Sequence, residues 1–381
     1  MTRATDRIVT THVGSLARPQ DLVRLMWDLQ DGKEVDPEVL ERRSQEAISE
    51  AVDRQRRIGI DVVNDGELSK PGFHNYIFDR LTGFGGEGVP GASADVEDFP
   101  EFAAAAAADE RWQRAVYPKC IGPVEHRDIR PVEKEIANLR EALGSDPTPD
   151  TAFMNAVTPG QLTMNFPNDY YKTHEEYLHA AAEAMKPEYE AIAGAGLTLQ
   201  LDSPDSALSA HFKSSGNDLP DFHTHLEMAV EALNHAVEAI PAEQMRFHVC
   251  WGNYVGPHHR DIELREILPT LLRIKPATLS FEAANPRHAH EWEVFDEIQL
   301  PDDKKVMPGV IDVKSHHIEH PRLVAERLER YAGLVGKERV IAGTDCGFST
   351  MVGWTNIDPE IGWAKLESLV EGARIASERL W

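Results

Sequence analysis

β-rich runs and helix-length amphipathic stretches alternate along most of this 381-residue chain, and that rhythm limits its fold more than any other feature. Runs at 7–15 and 60–66 each close on Gly and polar residues. Further runs end at 155–159, 200–204, 248–252, 281–285, 310–314 and 343–347. Between them the spacing predicts helices near 19–29, 36–58, 131–143, 174–194, 219–239, 262–273, 320–336 and 359–378. The second is the clearest. Asp36 suits its N-cap, Pro37 its first turn and Gly59 its end, and Val39, Leu40, Ala47, Ile48, Ala51 and Val52 form one apolar stripe. Eight strand-helix units predict an α/β chain folded as a (β/α)8 TIM-type barrel. Length alone allows two or three domains, but a barrel of this size is one unit. The expected organisation is a single barrel domain over 1–381, interrupted by an excursion at about 83–125.

That excursion breaks the rhythm. It opens on a glycine-rich stretch from Gly83 and contains an alanine run, Ala103 to Ala108. One short helix is expected, and both a flap over the site and a surface insertion without a role fit. The β-like run 115–124 reads as a hairpin arm. It holds Cys120, which has no metal-type neighbour in sequence and reads as structural.

Charge narrows the partners. A net −25 spread along the chain disfavours nucleic acid and anionic membrane. Three cysteines cannot all pair, which favours a reducing, cytoplasmic setting. The polar N-terminus lacks a signal peptide's apolar core, and no apolar run reaches the ~20 residues of a membrane span. Assembly into a homo-oligomer stays open.

Reactive residues gather where the predicted strands end: Glu67, Asp202, His248, Cys250, Glu282, Asp312, Lys314, Asp345 and Cys346. In a barrel these ends share one rim, where active sites form. Residues 246–251 alternate polar and apolar, so a strand there points His248 and Cys250 the same way. Alone, that pair suits a core histidine and a small buried thiol as well as it suits metal. With Glu282 from the sixth strand and Cys346 from the eighth, it makes four donors for one zinc ion. Glu282 is the weakest of the four, and one exchangeable position marks a catalytic site. The histidines at 258–259, 288, 290 and 316–317 read as solvated loop residues.

Two thiolate ligands make zinc a poorer acid for water and favour a reactive bound thiolate, so the set leans toward thiol alkylation rather than hydrolysis. The partners would be a small-molecule thiol and an alkyl donor. A metal-free barrel decarboxylase or binding protein, and a structural zinc site in a barrel without activity, are the readings from other classes.

His248-x-Cys250, Glu282 and Asp345-Cys346-Gly347 resemble the zinc motifs of the cobalamin-independent methionine synthase family. Thr11-His12-Val13-Gly14-Ser15, Asp65-Gly66-Glu67 and Gln200-Leu201-Asp202 resemble other motifs of its catalytic barrel. The likeness runs from about residue 8 to the C-terminus and fits the family's single-barrel branch. The C-terminal half is also similar to epoxyalkane:coenzyme M transferase, through 247–252, 280–283, 287–292, 342–348 and 369–377. The resemblance implies zinc on His248, Cys250 and Cys346, with Glu282 yielding to the incoming thiol. It implies a substrate-binding set of His12, Gly14, Ser15, Glu67 and Asp202. Gly14 and Ser15 would offer donors to an anionic group, and Glu67 and Asp202 would grip an amino group. Methyl transfer to homocysteine is the implied activity, with epoxide opening by a thiol as the alternative. Lys314 stands where the methionine synthases carry a histidine that helps protonate the folate leaving group. With Asp312 it forms the expected catalytic pair, and it is a weaker acid at neutral pH unless burial lowers it.

Overall fold

A computed structural model describes residues 6–88, 91–109, 114, 117–213 and 219–381. Phe153–Val157, Thr198–Asp202, Met245–His248, Thr278–Phe281 and Lys305–Pro308 form a five-stranded parallel sheet in that order. Val9–Thr10 pairs in parallel with Ile341–Ala342. Parallel bridges Val306–Val340 and Gly309–Gly343 join this pair to one side of the sheet. On the other side a parallel bridge joins Val63 to Ala152, and the amides of Asp61 and Val62 both donate to Thr10 O at 3.1 Å. The result is a parallel α/β fold.

Helices follow the strands as the periodicity predicts. They span Gln20–Gln30, Pro37–Ile58, Arg130–Leu143, His174–Gly194, Phe222–Ala236, Leu264–Leu271, Pro321–Val335 and Pro359–Leu380. The second is capped as its sequence suggests: Asp36 accepts from Glu38 N, and Gly59 leaves it with φ 95°. Its buried residues Ala47, Ile48, Ala51 and Val52 sit in the main core. Among the described residues no helix is long and apolar enough to cross a membrane.

The strands carry polar residues in fixed layers. Arg246 is fully buried, with its guanidinium 3.5 Å over the Phe153 ring. It donates to Gln200 Oε1 at 2.5 Å, Thr11 Oγ1 at 3.1 Å and His12 O at 2.8 Å. These bonds satisfy a cation that burial would otherwise make costly, and they fix the 11–15 loop against two strands.

The strand expected over 246–251 is shorter than its alternation suggests. Regular pairing stops at His248, with one more bond from Val249 N to Ser280 O at 2.9 Å. The next amides go elsewhere: Trp251 N to Glu282 Oε1 at 3.1 Å, and Gly252 N to Cys250 Sγ at 3.3 Å. Side-chain acceptors have replaced the ladder, so the chain turns at Cys250 rather than extending.

The excursion also differs in detail. Among the described residues it carries two short helices, Ala94–Glu97 and Pro100–Ala107, where one was expected. Phe84–Gly85 pairs antiparallel with Lys119–Cys120, the hairpin arm read from 115–124, of which 115 and 116 lie outside the described residues. Ala92–Ser93 pairs antiparallel with Phe212–Lys213. Cys120 is fully buried in the main core.

Candidate metal centre

Each donor is placed just beyond a strand. His248 ends Met245–His248, and Cys250 follows at the turn. Glu282 directly follows Thr278–Phe281, and Cys346 lies past Ile341–Ala342. All four are at most 5% exposed. One donor atom each from His248, Cys250 and Cys346 lie within 4.8 Å of one another. The two thiols are 3.5 Å apart, well beyond a disulfide bond, and both cysteines are free. His248 Nδ1 contacts Ser280 Oγ at 3.3 Å, while among the described residues its buried Nε2 has no hydrogen-bond partner. An orphaned imidazole nitrogen beside two thiols fits a soft, tetrahedral cation such as zinc. The thiols are suited to it electrically. The hydrogen bond from Cys250 draws Cys346 down to about 6 against burial, and His248 adds to this. Cys250 is pushed up by the same contact and by burial.

Glu282 stands at the edge of this trio. Its Oε1 is 3.3 Å from Cys250 Sγ and also accepts Trp251 N. Its Oε2 accepts from Lys314 Nζ at 2.8 Å and Asn285 Nδ2 at 2.7 Å. Burial opposes its charge, yet Lys314, with His288 and His258, holds the carboxylate down at about 2. Lys314 answers in kind. Burial disfavours its charge, but Glu282 and then Cys250 hold it above its ordinary value. Burial therefore does not turn Lys314 into a neutral-pH acid. Asp312 accepts Lys314 N at 2.8 Å, which shapes the turn that presents the ammonium.

Asp345 organises the wall behind Glu282. It accepts the amides of Ala283, Ala284 and Asn285 at 2.8 to 2.9 Å, and the Asn285 side chain at 2.9 Å. Burial and the neighbouring Glu282 push it up to about 7. The sequence shows Asp345 at a strand end but not that it splints another strand's loop.

The expected substrate residues line the same end of the sheet. Glu67 and Asp202 are both buried. Asp202 accepts from Asn155 Nδ2 at 2.8 Å and Gln200 Nε2 at 2.7 Å, and Glu67 Oε2 has no partner. Arg18 lies close by, but its hydrogen bonds go to the backbone oxygens of Glu67, Lys70 and Ser349. Burial, reinforced by Asp202 and Asp65, pushes Glu67 up to about 8 against Lys70 and Arg18. Its backbone is left-handed, φ 54°, which costs about 1–3 kcal/mol in a residue with a side chain. Asn64 and Asp65 hold it there by capping Gly66 N and Glu67 N, each at 2.9 Å.

The 12–15 loop is more internally engaged than the sequence suggests. His12 Nε2 contacts Gln55 Oε1 at 2.8 Å, and its Nδ1 accepts Gly14 N at 3.2 Å. Burial draws this imidazole down to about 4. Gly14 N–H is thus spent on His12, and Gly14 has φ 136° with a would-be Cβ 2.5 Å from Asn155 Oδ1. Ser15 O accepts Phe348 N at 2.7 Å, which ties this loop to the segment carrying Cys346.

Two of the histidines read as solvated are buried instead. His258 and His288 both reach Asp261 Oδ2, at 2.9 and 3.0 Å, and His211 reaches Asp261 Oδ1 at 3.0 Å. His288 also contacts Glu291 Oε2 at 2.8 Å, and its ring lies 4.2 Å from that of Trp251. Burial opposes its charge, but Asp261 and Glu291 raise it to about 9. Trp251 directly follows Cys250, so this cluster braces the turn that carries a donor. His258 and Asp261 share one loop, but His211 and His288 reach it from 50 and 27 residues away, which no local pattern marks.

A family model described as the catalytic domain of cobalamin-independent synthases matches residues 151–366. The chain belongs to that family. A methionine synthase of Thermococcus kodakarensis is 23% identical over 376 residues, covering 97% of this chain and 94% of that protein. A 5-methyltetrahydropteroyltriglutamate–homocysteine methyltransferase of Aliivibrio fischeri is 22% identical, covering 98% of this chain but 42% of its own length. The chain thus spans nearly the whole of the first relative and under half of the second. The structure of a B12-independent methionine synthase from Shewanella sp. W3-18-1, in complex with selenomethionine, superposes with a TM-score of 0.74. It is 22% identical and covers 98% of this chain and 99% of that one, a likeness of fold.

Proposed function

We propose that this family member transfers a methyl group to the sulfur of a small thiol that carries an amino group, of the homocysteine class. His248, Cys250 and Cys346 would hold zinc, with Glu282 as the exchangeable neighbour. The observation that carries this reading is a buried imidazole, its Nε2 unpartnered among the described residues, with a ring nitrogen within 4.8 Å of two free thiols 3.5 Å apart. Zinc bound there supplies the acidity that keeps an incoming thiol deprotonated at neutral pH.

The chain's own residues do the remaining work. Glu67 and Asp202 are buried carboxylates whose oxygens receive no Arg or Lys hydrogen bond, and a substrate ammonium is their natural complement. By fixing that ammonium they aim the sulfur at the methyl carbon, where the S–C bond forms as the donor's bond to carbon breaks. Lys314 and Asn285 grip the far oxygen of Glu282 and so set how readily it leaves the thiols. In this reading Lys314 governs Glu282 rather than giving a proton to the leaving group.

A closed eight-stranded barrel in one unit over 1–381 is part of the reading. It is supported by parallel pairing or amide bonds on both sides of Val9–Thr10, and by donors that lie at or past strand C-termini. A reducing cytoplasmic setting is supported by three free buried thiols.

The test is direct. Purified protein supplied with homocysteine and a methyltetrahydropteroylglutamate should form methionine, and chelation should abolish the activity. Consumption of an epoxide in the presence of coenzyme M, without methionine formation, would move the chemistry to the alternative. Activity that survives chelation, in protein with substoichiometric zinc, would end the metal reading.

A further inference from the structure

A second group of donors stands on the outer helices, separate from the thiols. His179 and Glu183 lie four residues apart on His174–Gly194, a spacing that puts both on one helix face. His235 faces them from the last turn of Phe222–Ala236. One donor atom from each lies within 4.8 Å of the other two. His235 Nε2 meets Glu183 Oε1 directly, and the rings of His179 and His235 are 5.1 Å apart at a 34° tilt. A hydrogen bond between one imidazole and one carboxylate accounts for His235 and Glu183. It leaves the second imidazole turned toward the same place without a reason.

We infer that His179, Glu183 and His235 form a second metal site, for a borderline divalent ion of the zinc class. Two imidazoles and one carboxylate are the donors such ions select, and magnesium or calcium would call for more oxygen. Three protein donors leave the fourth position to water. His179 and Glu183 are exposed and His235 partly so, which makes the site weaker than the buried thiolate site. The nearest competing cation is Lys186, whose Nζ is 3.9 Å from Glu183 Oε1 and 3.4 Å from Glu238 Oε1. Glu238 gives that ammonium somewhere to go when an ion occupies Glu183. Since the donors come from two helices, an ion there would staple one to the other and stabilise the folded chain by mass action.

Cobalt(II) titration of chelator-treated full-length protein separates the two sites. The thiolate site gives an intense sulfur-to-cobalt charge-transfer band, whereas this site gives only weak d–d bands from nitrogen and oxygen ligands. Wild-type protein should bind two ions per chain, the second adding no sulfur band. His179→Ala and His235→Ala should each bind one, with the sulfur band unchanged. Cys346→Ser should keep the sulfur-free ion, so that failure of the thiolate reading would not be mistaken for failure of this one. Excess zinc should raise the melting temperature of wild type by a few degrees more than that of either histidine variant. Equal stoichiometry in wild type and the histidine variants would overturn the assignment. So would a wild type that binds no sulfur-free ion.

Discussion

The thiols of Cys250 and Cys346 lie 3.5 Å apart although 96 residues separate them in sequence. Each sits just past the end of a different parallel strand, and His248 Nε2 completes the group without another partner. Cys250→Ser or Cys346→Ser should lower zinc affinity by more than about 100-fold, since even partners of ligands are worth 10–100-fold. Circular dichroism should show the fold retained. A fully active, zinc-replete Cys346→Ser protein would contradict the site.

Lys314 is the cation that keeps Glu282 charged. Lys314→Met removes one half of a buried pair and should cost about 3–5 kcal/mol of stability. Denaturant unfolding measures this. The freed Glu282 should then titrate well above 2, visible as a carboxyl band in infrared difference spectra, because its leading stabiliser is gone.

In the proposed reading, Glu67 makes substrate affinity depend on pH. Its pKa in the free protein is raised to about 8, so near neutral pH it carries a proton that a substrate ammonium must expel. Calorimetry in buffers of different ionisation enthalpy should show proton release on binding a thiol amino acid, and affinity should rise as pH approaches 8. The sign for stability is the reverse. The folded state holds this proton more tightly than the unfolded chain, so stability is lost as pH rises from about 4.5 to about 8. Glu67→Gln should abolish the proton release, weaken binding, and flatten that decline by an amount on the order of a few kcal/mol.

Asp261 contacts three buried imidazoles. Asp261→Asn should destabilise the protein, because the buried His288 is left with Glu291 as its one carboxylate contact. The His288 contribution is fully present below pH 6.5 and fades as pH rises through about 9, so the variant's deficit should shrink in alkaline buffer. Thermal melts at pH 6 and pH 10 would check this; an equal deficit at both would refute it.

Gly14 is the close approach that lets Asn155 serve Asp202. A Cβ there would sit 2.5 Å from Asn155 Oδ1, at a φ of 136° that side chains rarely adopt. Gly14→Ala should therefore raise KM for the thiol amino acid more than it lowers kcat, through displacement of Asn155 from Asp202. An unchanged KM would show that Asn155 has room to move.

The eight helices were legible because an amphipathic stripe and its caps are local. Asp36, Pro37 and Gly59 state where one helix starts and stops within a single stretch of chain. That His248, Cys250 and Cys346 would come together was legible too, since thiols and imidazoles at strand ends are few. The length of the Met245–His248 strand was not, because Trp251 N is taken by Glu282 from another strand. His288 read as a loop residue for a like reason, since its partner Asp261 lies 27 residues away; His258, three residues from Asp261, is a local contact that the reading missed.

By itself the sequence determined which segments alternate, which atoms can bind a soft cation, and which carboxylates lie near the same rim, since these follow from side-chain chemistry and short-range periodicity. Only the tertiary structure decided that Lys314 grips Glu282, that Asp345 splints the 283–285 amides, and that Arg18 donates to the Glu67 backbone oxygen. Those are partnerships between distant segments in a low-dielectric interior, where a contact of under 3 Å sets the charge of each group and no pattern along the chain records it.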